Sequence, residues 1–414
     1  MAGVPFALDG IKIVEVGGYA AGPWIGKLLG NYGATVIHVE AWDRPDGFRL
    51  QYPPYPGGKK GINRSGCFNY FNDSKYAVTI DVKKPGGIEL SRRLADWADV
   101  LIENMRPGVV ERIGLGYKDV KKTNPGIVYM STCNMGQTGP RAATGGFGSQ
   151  LSALAGFCGL TGTADGTPQL LYGPYIDFVA ALVGTPVILA ALDRRKRTGE
   201  GAYIDVAQYE CGATFLSGAL HAFHTQGAIA DRDGNHDAHA APHNAYPCLP
   251  PKEKHNAPGG GWIALSCWDD AEFARLAGVL GHPEWASDKR FATVAERRTH
   301  ADALDAAIAA WTKTLSADDA VEKLQAAGVH SYRVNSVADL FSDPQIAHRR
   351  NWRVRKHGEI GDSSYYYPGI ELDGTPGDVT APSPCIAEHN ELVFRDFLGL
   401  TDEEFKQYKD NGVI

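Results

Sequence analysis

The stretch "LYGPYIDFVAALVGTPVILAALDRRKRTGEG" covers residues 171–201 and places one carboxylate, Asp177, ahead of a long apolar run with no second charge before Asp193. Two chemistries are open to such an acid. It caps the helix that follows, accepting from otherwise orphaned N–H groups. Or it is a nucleophile, since a helix start stabilises a carboxylate and the charge that develops when it attacks a carbonyl. A second candidate is "PGGGW", with Gly259, Gly260 and Gly261. It reads either as a flexible turn or as a loop whose bare N–H groups approach a substrate and hold an oxyanion. His221, His224, His236, His239 and His243 crowd a short stretch. Their spacing is compatible with zinc, but no Cys or acid completes a ligand pattern, and a solvated loop is expected instead. The turn "GGYAAGP", with Glu40 one strand later, invites a dinucleotide reading. The G-x-G-x-x-G register fails at Tyr19 and Pro23 follows, so a plain βαβ unit is expected.

The elements that must carry these residues alternate. "IKIVEV" (11–16), "TVIHVE" (35–40), "AVTIDV" (77–82), "DVLIEN" (99–104) and "GIVYMS" (126–131) read as buried strands. Helical patterns such as "GPWIGKLLGNYGA" (22–34) and "GGIELSRRLADWA" (86–98) separate them. Strand–helix alternation implies a parallel sheet covered on both faces. "AYIDVAQYECG" adds a strand and a helix start. Residues 226–262, rich in Gly, Pro, His, Asn and Asp, read as linker and loop. "WIALSC", two amphipathic helices and the Ser-capped "SADDAVEKLQAAGV" imply a smaller domain, and strand-like "NWRVRKHGEIGDSSYYYPGIEL" leads to a last helix. The domains expected are 1–220, 221–335 and a return segment, 336–414.

Composition narrows the class. The 414 residues carry 41 basic and 48 acidic side chains, a net charge of −7, with no long Lys/Arg run, which argues against nucleic acid. Seven cysteines without a CxxC pair read as free thiols in a reducing compartment. "MAGVPFALDG" lacks the pattern of a signal peptide. The apolar run after Asp177, interrupted by Gly184, Thr185 and Pro186, reads as too short for a bilayer. A cytoplasmic protein without membrane contact is expected.

The ordered set of motifs resembles the CaiB/BaiF, or family III, CoA-transferases. "LDGIKIVEVGGYAAGPWIGKLLGNYGATVIHVE" looks like the family's opening signature, "NDSKYAVTIDVKKPGG" and "ADVLIENMRPGVVERIGLGY" its next blocks, and "NPGIVYMSTCNMGQTGP", "RRKRTGEGAYIDVAQYE", "FSDPQIAHRR" and "APSPCIAEHN" later landmarks. The resemblance implies an α/β fold, with a Rossmann-like, discontinuous large domain, a smaller α+β domain and two chains interlocked as a dimer of identical or related subunits. It implies that Asp177 is the nucleophile and that Gly259, Gly260 and Gly261 cover the active site. Tyr19, Ala20 and Ala21 would border coenzyme A. Lys75, Asn104, Met105 and Arg112 would hold it, with Lys75 and Arg112 lending charge to its phosphates. No metal or prosthetic group is implied; the CoA thioester is a substrate, and a free carboxylic acid accepts the CoA. Succinyl-CoA is a reasonable donor. Tyr19, Trp24, Tyr172 and Tyr175 lean toward a bulky acceptor, an aromatic or dicarboxylic acid such as benzylsuccinate. Ala20 where some members carry Gln, and "CNMG" at 133–136 for the commoner "GFG", leave the substrate open. An α-methylacyl-CoA racemase and one subunit of a heteromeric transferase are the alternatives.

Overall fold

A computed structural model describes residues 6–250 and 261–414. The chain divides into two compact units. The larger gathers Met1–Gly159, Gln169–Ala230 and Arg349–Ile414; the smaller holds Leu160–Pro168 and Asp231–His348.

The larger unit is built on a six-stranded parallel sheet: β1 (Lys12–Val16), β2 (Thr35–Glu40), β3 (Tyr76–Thr79), β4 (Val100–Glu103), β5 (Val128–Cys133) and β6 (Ala202–Ala207). Its order is β3-β2-β1-β4-β5-β6. β1 to β5 are short and mostly apolar because both faces are buried, whereas β6, at the edge, keeps Tyr203 and Asp205 exposed. Alternate side chains feed two cores. Val14, Val16, Ile37, Leu101 and Tyr129 face Leu90, Leu94, Phe394 and Phe405. Ile13, Val36, Ile102 and Met130 face Trp24, Ile25, Leu29, Ala181 and Ile188.

The apolar run is one helix, Tyr175–Thr198, of 24 residues. The expectation that it is too short and interrupted to span a bilayer is corrected: by length and composition it qualifies, an 18-residue window within it reaching a mean hydropathy of 2.0. Pro186 does not end it, and the Thr185 hydroxyl donates to the Ala181 carbonyl at 2.8 Å. One side packs on the Ala21–Gly30 helix, β5 and β6. There Gly184 gives passage to Met130 and Ile25, whose atoms would stand 3.3 and 3.4 Å from an added Cβ. Leu182, Val183, Val187 and Leu189 remain exposed on the other.

β3 is an edge strand whose free backbone groups are taken up by the last segment of the chain. Ala77 and His389 exchange two hydrogen bonds, Ala77 N–H donating to His389 Nδ1 and His389 N–H to the Ala77 carbonyl. Thr79 N–H donates to Asn390 Oδ1 at 2.9 Å, and Asp81 N–H to the Val413 carbonyl at 2.7 Å. A hairpin, β10 (Trp352–His357) with β11 (Gly361–Tyr366), also belongs to this unit.

The smaller unit has an antiparallel sheet of β7 (His243–Pro247), β8 (Trp262–Ser266) and β9 (His330–Arg333), in that order. It packs with the helices Asp270–Val279, Ala301–Thr312 and Ala317–Ala326 around Tyr246, Ile263, Phe273, Leu276, Ile308 and Leu324. β7 lies inside the stretch read as loop. Its Pro, His and Asn residues hide the alternation, and pairing with β8 supplies the order that its composition does not.

Candidate active site

The strand order reverses between β1 and β4, since the chain leaves β1 toward β2 and leaves β4 toward β5. Open α/β sheets bind ligands at such a point, beyond the carboxyl ends of the strands. Here the β1 turn is held by Asn104, the residue after β4. Asn104 Oδ1 accepts from Gly18 N–H at 3.1 Å, and its Nδ2 donates to the Gly18 carbonyl at 2.7 Å. Gly17 has φ +137°, and a Cβ there would stand 1.9 Å from Asn104 Oδ1, so only glycine admits this staple. Tyr19 follows at φ +63°, a conformation unfavourable for a bulky residue. Its N–H donates to both oxygens of Asp46 at 3.1 Å. Burial pushes the Asp46 carboxyl up to about 6, against the pull of nearby His38.

The Tyr19 ring meets Phe48 edge-on at 5.4 Å and Phe147 at 5.7 Å. Phe147 is half-exposed and precedes Gly148, which lies directly against the carboxylate of Asp177. Asp177 is thus linked to the β1 turn through Gly148 and Phe147, although far from it in sequence. The N-cap position is Pro174, which makes no side-chain hydrogen bond, and not Asp177. Asp177 sits in the first turn, partly buried, and burial pushes its carboxyl up to about 7. Its neighbour Phe178 stacks on Phe71 at 5.6 Å and meets Trp24 edge-on at 5.0 Å. Trp24 is thus a buried support, whereas Tyr172 is fully exposed.

The other expected residues divide. Ala20 and Ala21 are buried beneath the turn. Met105 is partly buried, its N–H donating to Glu103 Oε2 at 2.9 Å. Arg112 is exposed. Lys75 needs correction as a phosphate ligand. Its ammonium is fully buried and donates to Glu15, to Asn72 Oδ1 at 2.9 Å and to the Pro23 carbonyl at 2.7 Å. Withdrawing it would strand Glu15, which also bonds His38 at 2.6 Å, and breaking such a buried pair costs about 3–5 kcal/mol. Lys75 instead ties β1, the Ala21–Gly30 helix and the segment before β3 together. Arg106 offers the surface charge that Lys75 does not: it is exposed, its guanidinium lying over Gly145. It escaped the sequence reading, as did Gly148 and Asp46. Arg106 sits in "ENMRPG" beside the chosen Asn104 and Met105, and that adjacency was the available signal.

Gly259 and Gly260 lie outside the described residues. Gly261 belongs to the smaller unit, where its carbonyl accepts from Cys248 N–H at 2.8 Å. Of the histidines, His236 pairs with Asp233 at 3.3 Å, and His243 Nδ1 bonds the Asn235 carbonyl at 2.5 Å. A cavity of about 180 Å³ lies beside them. Among the described residues no three His, Cys, Asp or Glu side chains are placed to hold a metal ion.

Sheet order, switch-point turn and the carboxylate beside it define a doubly wound α/β protein. Residues 8–390 match the family described as CoA-transferase family III, and the chain belongs to that family. It is 32% identical over 410 residues to succinyl-CoA–D-citramalate CoA-transferase of Chloroflexus aurantiacus, covering 99% of this chain and 98% of the relative. It is 30% identical over 412 residues to the succinyl-CoA–L-malate CoA-transferase beta subunit of the same organism, covering 98% of each. A CaiB/BaiF family protein from Brucella suis has the same fold, with a TM-score of 0.85 and 31% identity over 95% of this chain and 100% of its own.

Proposed function

We propose that this CoA-transferase works through covalent intermediates on Asp177, with succinyl-CoA as donor and a dicarboxylic acid as acceptor. The observation that carries this reading is the placement of Asp177: a carboxylate in the first turn of an apolar helix, set against Gly148, whose neighbour Phe147 rests on Tyr19 of the turn where the strand order reverses. The names of the citramalate and malate relatives support the donor and favour a dicarboxylic acceptor over the aromatic acid to which the sequence leaned.

The Asp177 carboxylate attacks the donor thioester carbonyl. The C–S bond breaks, giving a mixed anhydride and CoA thiolate. The thiolate then attacks the Asp177 carbonyl, the anhydride C–O bond breaks, and the donor acid leaves as its carboxylate. The acceptor carboxylate repeats both steps in reverse, so Asp177 is regenerated and no proton is gained or lost. Each attack puts charge on a carbonyl oxygen, and one good N–H donor there contributes about 3–4 kcal/mol. Only the family resemblance assigns that part to Gly259, Gly260 and Gly261. Arg106 and Arg112 meet the phosphates of CoA, and Tyr19 and Phe147 wall the thioester end.

The test is trapping. Hydroxylamine added with succinyl-CoA should inactivate the enzyme and leave a hydroxamate at Asp177 on peptide mapping. Asp177→Ala should abolish exchange while keeping the melting temperature within a few degrees. Near-normal exchange by Asp177→Ala would sink the reading. Deuterium uptake from solvent next to the thioester carbonyl, with no acceptor acid present, would favour a racemase.

A further inference from the structure

We infer that Gly148 is a positioning residue for the nucleophile: the side chain it lacks is the slot in which the Asp177 carboxylate lies. This rests on Asp177 being the nucleophile. A Cβ added at Gly148 would stand 2.1 Å from Asp177 Oδ2, 2.9 Å from Pro174 Cα and 3.2 Å from Pro174 Cβ. Its φ is outside the left-handed region, so the backbone does not require glycine there. What requires it is the acid across the gap.

Neither wall of the slot is free to retreat. The Ser152 hydroxyl donates to the Gly148 carbonyl at 2.9 Å, and both groups are buried. The preceding residue is held three times: Phe147 N–H donates to Gln150 Oε1 at 3.1 Å, its carbonyl accepts from Leu151 N–H at 3.1 Å, and its ring rests on Tyr19. On the other wall, Phe178 N–H donates to the Pro174 carbonyl at 3.3 Å. Ile176 fills the space left by a second glycine, since a Cβ at Gly212 would stand 2.4 Å from Ile176 Cδ1. A methyl at position 148 therefore drives the Asp177 carboxylate, the part of the slot with rotatable torsions, out of its place, and also presses the Pro174 backbone back slightly.

The consequence is a defect in the chemical step and not in binding. A displacement of about 1 Å at a reacting group can cost about 10²-fold in rate. In Gly148→Ala, kcat for succinyl-CoA-dependent exchange should fall about 10²-fold, while the KM for succinyl-CoA stays within about threefold. A carboxyl pushed from its slot also gains water, so the acid limb of kcat/KM should move down toward the ordinary carboxylate range. Simple loss of stability would not move it. Ser149→Ala, one residue along, serves as the control.

Gly148→Ala with wild-type kcat and an unmoved acid limb overturns the inference. If Gly148→Ala does not yield folded protein, Ser152→Ala decides, because it releases the Gly148 carbonyl without adding bulk. A several-fold loss in kcat at unchanged KM supports the slot, and wild-type kcat overturns it. Hydroxylamine trapping of the wild type separates the two ideas. No hydroxamate at Asp177 removes the nucleophile reading and this inference together, whereas trapped wild type with fully active Gly148→Ala removes the slot alone.

Discussion

At Asp177 the same burial that shields an anhydride from water makes the nucleophile harder to ionise. Its carboxyl is pushed up to about 7, so it is increasingly protonated below that pH. Only the anion attacks. kcat/KM, which reports the free enzyme, should therefore rise with pH and level off above about 7, falling about tenfold per unit on the acid side. A flat profile between pH 5 and 8 would mean that the carboxylate is better solvated than its place in the helix implies. Asp177 stood out in the sequence as a lone charge ahead of an apolar run, open to a cap or a nucleophile, and only the family resemblance implied the second. Gly148 did not stand out, because a glycine's reason lies in what stands opposite, here an acid 29 residues further along the chain. Lys75 misled for a related reason. A lysine beside a strand looks available, and only the fold supplies Glu15, Asn72 and the Pro23 carbonyl that occupy it.

Among the elements, the parallel strands were readable because burial on both faces leaves an apolar imprint on four to six residues. Their pairing was not, and β7 was lost to its composition. Pairing is settled by contacts distant in sequence, and β3 shows it most directly. Thr79 is buried, and its N–H is satisfied by the Asn390 amide, whose Nδ2 also donates to Thr79 Oγ1 at 3.0 Å. Asn390→Ala leaves a buried donor unpaired, at a cost of about 1–3 kcal/mol. Chemical denaturation should show an unfolding free energy lower by that amount, seen as a lower midpoint, with kcat nearly unchanged, since Asn390 takes no part in the proposed chemistry. An unaltered midpoint would mean that solvent reaches the β3 edge.

For the molecule as a whole, the long helix keeps Leu182, Val187 and Leu189 exposed, and Phe215, Leu220 and Phe223 follow them. Large apolar surface of this kind marks an interface. The proposal is that a second chain, identical or related, covers it in the interlocked dimer that the family resemblance implies. Purified chain should then elute as a dimer and remain one on dilution to nanomolar concentration. A compact, folded monomer would rule the interlock out, and insolubility without a second subunit would point to a heteromer. The cover over β3 also imposes an order of events during synthesis. The smaller unit's three strands and the helices packed on them come from one continuous stretch, 231–348, complete before the covering residues near 390 have been translated. The larger sheet must wait with one margin open, and that margin is a template for a stray strand. While the chain is still on the ribosome, a small unit whose strands are all translated is thus attached to a large one whose β3 edge is still uncovered, and chaperone binding is expected in that interval.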